Sequence, residues 1–355
     1  MMKTNLMLFG ALAALGWLPA KAQLTSCPTS DIQSTTSSCY ELTPAAAGAD
    51  PNGVNATVAS LILTPSSSVT PRGQLLLYLN GSDAHPDGLI ATPTQNFYLA
   101  ATGLGYNVIA LSYSSEQLLT NVCSGVATCF YPSRQTIITG VYQSGAASVL
   151  ADILPSEGIV ARLTMTLQTL AQDYPSQGWS NFLIPATRSG TPTINWSKVV
   201  ASGQSQGGGN AAALGKMFPL AGVIQLSGTC DQTHANEENE AAAVPAPWLF
   251  APTGGSSGWA TDPHTFWGLD AATYFGADGY AQCPEDEPQC GDEICFSHLK
   301  GWQAEGMVAS HQIDNEYICP PNITTDQVEI AVELNVHNMS IQCVENYPIW
   351  LQMLQ

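Results

Sequence analysis

The sequence predicts an α/β domain in which a mostly parallel sheet is flanked by helices. Short continuous apolar runs bounded by glycine, such as QLLLYLN at 74–80, are typical of strands that are buried on both faces. Segments with apolar residues at helical spacing, such as 158–174, alternate with these runs. Strands that alternate with helices along a chain favour a mostly parallel sheet covered on both faces.

The first half of the chain is predicted to supply an arm, three strands and a helix. The stretch 23–50 is rich in Ser, Thr and Ala and holds two cysteines, which indicates a disulfide-stapled N-terminal arm. A first strand is predicted at 57–63 and a buried one at 74–80. A helix at 94–102 then leads to the strand YNVIALSY at 106–113, which is rich in β-branched residues.

The alternation continues after an insertion that contains two further cysteines. Helical patterns are predicted around 134–143 and at 158–174, where apolar residues recur every three or four positions. A third buried strand is predicted at 198–202, a helix at 207–218 and a fourth strand at 220–226.

The stretch from 231 to 306 differs in character from the rest of the chain. It is acidic, contains several Gly, Pro and Trp residues, and holds three cysteines. Two interpretations remain open, a disulfide-held lid or pocket wall and a solvated acidic loop. Within it HTFWGL at 264–269 can form a core strand, and beyond it a last strand is predicted at 327–336 and a closing helix at 347–354.

The most informative motif is GQSQG at 203–207, which lies between a predicted strand and a predicted helix. A serine on a sharp strand-to-helix turn, with glycines two residues before and after it, has the pattern of a nucleophile elbow. The glycines remove side chains that would collide across the turn. Gly208 and Gly209 are expected to let the helix pack closely on neighbouring strands. Ser205 is therefore the predicted nucleophile.

These residues carry a resemblance to the α/β-hydrolase superfamily, and GQSQGGG resembles the elbow of its secreted serine esterase-like members. The resemblance runs from Gln74 to the C-terminus and includes LLLYLNGSDAHP, GYNVIALSY, AGVIQLSG after the elbow, and a late histidine in VHNMS. It implies an α/β-hydrolase fold with a disulfide-held insertion and the chain order serine, acid, histidine. It implies no metal or organic cofactor, and says little about the substrate.

The serine needs a histidine to remove its proton. In the superfamily this histidine lies in the loop after the last strand. His337 follows the predicted strand 327–336 and fits that place best. His311 also lies late in the chain and is the alternative base.

The acid that orients the histidine is expected after a strand that follows AGVIQLSG. Asp270 ends FWGLD and is the predicted acid. Asp231 is the main alternative, because some superfamily members carry the acid directly after the earlier strand. Asp262 and Asp278 also remain candidates, since FWGLDAATY departs from the family pattern of a histidine and an acid near this strand.

An oxyanion hole requires two backbone N–H groups directed at the developing negative charge. Gln206 supplies one by its position after the nucleophile. Ser82 is the predicted second donor, in the turn NGSD at 80–83 that stands in the place of the superfamily's His-Gly loop. Asp83 is the alternative donor, although a carboxylate close to an oxyanion is unfavourable. An ordinary strand-to-helix turn is the non-catalytic interpretation of this segment.

The N-terminal residues predict secretion. A short basic start, an apolar run and a small-x-small site in AKA indicate a signal peptide over 1–22, too short to anchor the chain in a membrane. All ten cysteines follow it, which favours disulfides. Cys27 with Cys39, and Cys123 with Cys129, are the closest-spaced pairs. Four sequons fit glycosylation, at residues 55, 195, 322 and 338.

Length and charge restrict the partners. With 45% hydrophobic residues the chain can form a sizeable core. Residues 23–355 are predicted to form one large domain with an insertion, which fits this length as well as two domains would. The chain has 28 acidic and 9 basic residues, and removing the two lysines of 1–22 leaves a formal charge of −21. Such a surface disfavours nucleic acid and anionic lipids as partners.

The sequence therefore predicts a secreted serine hydrolase whose substrate is a small or a polymeric carboxylic ester. Two alternatives use the same fold, namely an inactive binding module and an acyltransferase.

Overall fold

The computed structural model describes residues 24–27, 37–86, 94–123, 127–186, 190–226 and 310–313, together with residues 351 and 354. The strands in these ranges are β1 (Thr25–Ser26), β2 (Ser37–Leu42), β3 (Ser60–Pro65), β4 (Leu75–Leu79), β5 (Asn107–Leu111), β6 (Leu183–Ile184), β7 (Thr193–Ile194), β8 (Val199–Gln204), β9 (Gly222–Leu226) and β10 (Ser310–Ile313). The α-helices are α1 (Thr94–Gly103), α2 (Leu119–Cys123), α3 (Ala127–Thr139), α4 (Ile159–Asp173) and α5 (Gln206–Met217).

Eight of these strands form one mixed sheet in the order β1-β2-β3-β5-β4-β8-β9-β10, and β6 pairs with β7 separately. The strands from β5 to β10 in this order are parallel, whereas β1, β2 and β3 join the sheet through antiparallel pairs. Leu79 of β4 pairs with Gly203 of β8, and Gln204 of β8 pairs with Leu226 of β9. The carboxyl ends of the central strands therefore meet at one edge of the sheet.

Both faces of the sheet are covered, as predicted. Successive residues of β4 alternate between two apolar cores, because side chains along a strand point to opposite faces. Leu77 packs in the core shared with α3, α4 and α5, and Leu76 in the core shared with α1. All five residues of β4 are buried. Because the strand is buried on both faces, its sequence is a continuous run of apolar residues.

Helix α4 covers the first of these faces with the spacing that its sequence predicts. Ile159, Leu163, Leu167 and Leu170 are all fully buried. They recur at intervals of three and four residues and so lie on one face of the helix. The predicted helix 158–174 is thus confirmed to within one residue at each end.

A buried arginine of α4 supports the loops at the carboxyl edge. Arg162 is 2% exposed, and its guanidinium donates to Ser112 O at 3.0 Å and to Val54 O. Burial lowers the pKa of Arg162, while the nearby charge of Glu157 raises it. These bonds hold the segment that follows β5.

The described residues of the predicted N-terminal arm include strands that its sequence did not predict. It contains β1 and β2, and β2 pairs antiparallel with β3 along six residues. Three of the six residues of β2 are exposed or only partly buried. Such a strand needs few apolar residues, which is why the polar segment gave no strand signal.

Both disulfides that the sequence spacing suggested are present. Cys27 is bonded to Cys39, and Cys123 to Cys129. The second bond joins α2 to α3, and α3 begins at Ala127, earlier than the predicted start near residue 134. The other six cysteines lie outside the described residues.

Several predicted segments also lie outside the described residues. They are the signal peptide 1–22, the stretch 231–306 with its strand 264–269, the strand 327–336 and most of the helix 347–354. Leu351 is helical, and Leu354 O accepts a hydrogen bond from Tyr106 Oη at 2.9 Å. Within the described ranges, no helix combines the length and apolar character needed to cross a bilayer.

Candidate active site

Ser205 lies on the turn between the end of β8 and the start of α5. Its backbone has φ 55° and ψ −126°, and it occupies the N-cap position of the helix. A positive φ is uncommon for a residue with a Cβ atom and costs about 1–3 kcal/mol. Ser205 N donates to Leu226 O at 2.9 Å, which fixes the turn to the end of β9. The strand, turn and helix around the predicted nucleophile are therefore present.

The two glycines of the motif are required by close backbone packing. A Cβ atom on Gly203 would lie 2.5 Å from Leu79 O, and one on Gly207 would lie 2.6 Å from Asn80 O. Real Cβ atoms do not approach backbone atoms so closely. The glycines thus let α5 start directly against β4.

We expect Gly207→Ala to lower the free energy of unfolding by about 3 kcal/mol, because the added methyl group overlaps backbone that cannot move aside. Urea unfolding measures this loss. Gly103→Ala is the control, since a Cβ atom there would meet nothing within 4 Å, and its effect should stay within about 1 kcal/mol. Equal stability of the two variants would contradict the packing described for the elbow.

The turn after β4 lies against the elbow. A Cβ atom on Gly81 would be 3.2 Å from Ser205 Cβ, so the two turns are in contact. Asp83 has φ 56°, and its N–H donates to Ser115 O at 2.9 Å. The Asp83 amide is therefore engaged away from the serine. Ser82 N–H has no hydrogen bond to another described residue among the backbone contacts of this turn.

Ser82 and Gln206, the two predicted oxyanion-hole residues, contact each other through their side chains. Ser82 Oγ donates to Gln206 Oε1 at 2.8 Å. The same oxygen accepts the N–H of Leu119, at the start of α2, at 3.2 Å. The structure thus brings these two predicted residues together beside Ser205.

A buried arginine that the sequence did not single out lies against the first turn of α5. Arg134 of α3 is 4% exposed, and its Nη1 donates to Gln206 O at 2.8 Å and to Asn210 Oδ1 at 2.9 Å. A Cβ atom on Gly209 would lie 2.6 Å from that Nη1. The expectation that Gly209 lets the helix pack on a strand is therefore wrong, because this glycine makes room for the guanidinium.

A buried tyrosine holds the turn after β4 through a hydrogen bond to its first residue. Tyr113 Oη donates to Asn80 O at 2.5 Å. Burial raises the pKa of the Tyr113 phenol, and this effect outweighs the hydrogen bond with Asn210 and the charge of Arg134, which lower it. The phenol therefore stays protonated at neutral pH and keeps donating. Asn80 is 1% exposed and contributes its side-chain N–H to Ala84 O and to Ser115 Oγ.

The predicted acid and base fall outside the described residues, and so do the alternative acids. They are Asp270 and His337, with Asp231, Asp262 and Asp278. The alternative base His311 lies inside strand β10, paired with Ile224 of β9. The sequence predicted no strand at this position, and the predicted base, His337, was expected in a loop after the last strand.

Two observations together decide the fold class. The sheet is mostly parallel and covered on both faces, and a serine occupies a strained turn between a central strand and a helix at its carboxyl edge. The described chain has the α/β-hydrolase fold.

No protein-family model and no curated protein matches the chain. Among solved structures it is similar to an S-formylglutathione hydrolase from Agrobacterium tumefaciens, with 11% identity, 58% of this chain and 62% of that chain covered, and a TM-score of 0.32. It is also similar to an acetyl xylan esterase from Paenibacillus sp. R4, with 13% identity, coverages of 88% and 87%, and a TM-score of 0.31. A bacterial heroin esterase shares 18% identity, with coverages of 56% and 47% and a TM-score of 0.27.

The overlap with these structures is partial. The chain spans less than two thirds of the length of the formylglutathione hydrolase and about half that of the heroin esterase. The α/β-hydrolase assignment therefore rests on the sheet and on the elbow of this chain.

Proposed function

We propose that the protein is a secreted serine hydrolase that cleaves carboxylic esters through an acyl-enzyme on Ser205. The observation that carries this proposal is the strained backbone of Ser205 at the N-terminus of α5. A stable turn has no need of a non-glycine residue at φ 55°. Gly203 and Gly207, on either side of Ser205, also pack against the backbone of Leu79 and Asn80 with no room for a Cβ atom. This packing supports a turn shaped to present the Ser205 hydroxyl group.

In the proposed reaction, Ser205 Oγ attacks the ester carbonyl while His337 takes its proton, and Asp270 orients the imidazole. The tetrahedral intermediate collapses when His337 returns the proton to the leaving alcohol. A water molecule then attacks the acyl-enzyme while His337 takes its proton. His337 returns this proton to Ser205 Oγ as the bond between Oγ and the acyl carbon breaks, and the carboxylic acid leaves. Each half-reaction is balanced without a metal or an organic cofactor.

We assign the oxyanion hole to the backbone N–H groups of Gln206 and Ser82. Gln206 is the first residue of α5, where the N–H groups have no partner within the helix. The contact between Gly81 and Ser205 supports Ser82 as the second donor. Asp83 is the weaker candidate, because its N–H is bonded to Ser115 O.

The identity of the base and the acid is part of the proposal. His337 follows the last predicted strand, which is where the superfamily carries its histidine. His311 lies two residues before the end of β10, within the strand, and is the weaker candidate. Asp270 and Asp231 remain the two candidates for the acid.

A fluorophosphonate probe tests this function, because it bonds covalently only to an activated serine. We expect stoichiometric labelling that a short-chain ester slows by competition, with the label mapped to Ser205. An inactive binding module would remain unlabelled. An acyltransferase would be labelled but would pass the acyl group to an added alcohol in preference to water.

A further inference from the structure

We propose that the side chain of Gln206 is a positioning residue that holds the two oxyanion donors in place by binding Ser82. This inference rests on the proposed hydrolase function and assigns a further residue role within that site. The set of contacts made by Gln206 Oε1 with Ser82 Oγ and Leu119 N is called the Gln206 bridge below.

The Gln206 bridge joins three separate segments beside Ser205. Gln206 is 5% exposed and begins α5, Ser82 lies in the turn after β4, and Leu119 begins α2. Two of these residues are the ones whose backbone N–H groups we assign to the oxyanion hole. The bridge therefore restrains the turn that carries one donor relative to the residue that carries the other.

The direction of the bonds in the bridge follows from chemistry. The backbone N–H of Leu119 can only donate, so the side-chain amide of Gln206 must present its oxygen to it. The Ser82 hydroxyl, 2.8 Å from the same oxygen, must then donate as well. Because this hydroxyl proton is donated to Gln206, the hydroxyl is not available to an oxyanion, and the backbone N–H is the donor that Ser82 can offer.

The other end of the amide supports a role for the oxygen. Gln206 Nε2 is buried and has no hydrogen-bond partner within the described residues. A buried unpaired N–H₂ group destabilises the fold, so an apolar side chain of similar length would be the more stable choice. A glutamine at this buried position is explained by the hydrogen bonds that its side-chain oxygen accepts from Ser82 and Leu119.

The main chain of Gln206 is restrained from the opposite side. Arg134 Nη1 donates to Gln206 O at 2.8 Å, and Ser205 N donates to Leu226 O at 2.9 Å. Gln206 is thus fixed by its own backbone. The turn around Ser82 is held at Asn80 by Tyr113 and at Asp83 by Ser115 O, and the bridge is the contact that holds Ser82 itself between them. Loss of the bridge should therefore loosen the Ser82 turn more than the elbow.

Ser82→Ala is the direct test, because it removes the donated hydroxyl and leaves the backbone N–H in place. On p-nitrophenyl acetate we expect kcat to fall about tenfold, because the backbone N–H of Ser82 is then less well aligned with the oxyanion, with KM within about twofold of that of the unmodified protein. Ser82→Thr restores a hydroxyl and should recover kcat to within about threefold. Ser66→Ala removes a distant exposed hydroxyl and is the matched control.

Gln206→Met tests the acceptor. We expect the double variant Ser82→Ala with Gln206→Met to be no slower than Gln206→Met alone, because the two residues act through one contact. If the loss in kcat of the double variant equals the combined losses of the two single variants, the contact between Ser82 and Gln206 is not the cause of either loss. An equal loss in Ser82→Ala and Ser82→Thr would overturn the role of the hydroxyl.

Amide hydrogen exchange provides a readout that does not depend on turnover. Ser82→Ala should speed exchange in peptides that cover 80–86 and leave peptides from β8 unchanged. Unchanged exchange in 80–86 would overturn the restraint, and faster exchange with unchanged kcat would overturn the positioning role. If the original protein neither hydrolyses esters nor labels at Ser205, the proposed function fails and the positioning role falls with it. The exchange result still decides in that case whether the bridge restrains the turn.

Discussion

Ser205→Ala is expected to abolish ester hydrolysis and probe labelling while leaving the stability of the protein nearly unchanged. If Ser205 is the nucleophile, kcat should fall by roughly a million-fold, the loss seen when a serine hydrolase loses a triad member that acts as part of a unit. Alanine keeps the Cβ atom, so the strain at φ 55° remains and the free energy of unfolding should shift by less than about 0.5 kcal/mol. Steady-state kinetics and urea unfolding measure the two effects.

Ser202→Ala is the matched control for this prediction. Ser202 lies three residues earlier in β8, is fully buried, and its Oγ has no hydrogen-bond partner within the described residues. Its removal should leave turnover intact and stability equal or slightly higher. Full activity of Ser205→Ala would contradict the hydrolase mechanism.

Ser205→Gly separates strain from chemistry at the same position. Glycine adopts a positive φ without steric penalty, so this variant should be more stable than Ser205→Ala by about 1 kcal/mol. It should remain inactive. A glycine variant no more stable than the alanine variant would mean that the turn is not strained.

His337→Ala is expected to have the second-largest effect, because in the proposed mechanism Ser205 then loses the base that removes its proton. We expect kcat to fall by several orders of magnitude, up to about a million-fold. Asp270→Asn should lower kcat by about ten-thousand-fold, since the acid orients and stabilises the imidazole without taking its proton. Kinetics with a short-chain ester, together with probe labelling rates, measure both losses.

The alternative residues serve as the controls. His311→Ala and Asp231→Asn should retain most of the turnover if the assignment is right. A crippled His311→Ala beside a normal His337→Ala would move the base to β10. A crippled Asp231→Asn beside a normal Asp270→Asn would move the acid to the end of β9 and leave the fold unaffected.

The central sheet could be predicted because its strands are buried on both faces. Leu75 to Leu79 gives a continuous apolar run that few other structures produce. The elbow could be predicted because Gly203 and Gly207 are required by geometry. Strand β2 was missed because a partly exposed outer strand needs little apolar sequence.

The side-chain contacts that hold the turn at Ser205 could not be predicted, because they join residues far apart in the chain. Arg134 and Gln206 are 72 positions apart, and an arginine in a helix is ordinarily exposed. Gly209, the last glycine in GQSQGGG, was the local sign that a large side chain lies against α5. The role of the Gln206 side chain likewise depends on Ser82, 124 positions away.

Trapping the acyl-enzyme tests the proposed role of Ser205 directly. The protein is mixed with a slowly deacylating p-nitrophenyl ester, quenched in acid and weighed intact, then cleaved after lysine so that one peptide, 199–216, carries both Ser202 and Ser205. We predict one added acyl group, located by fragmentation on Ser205, that appears with the burst of nitrophenol and is lost as the free acid forms. Turnover of the ester with no acyl adduct, or with the adduct on any other residue, would contradict the proposed acyl-enzyme on Ser205.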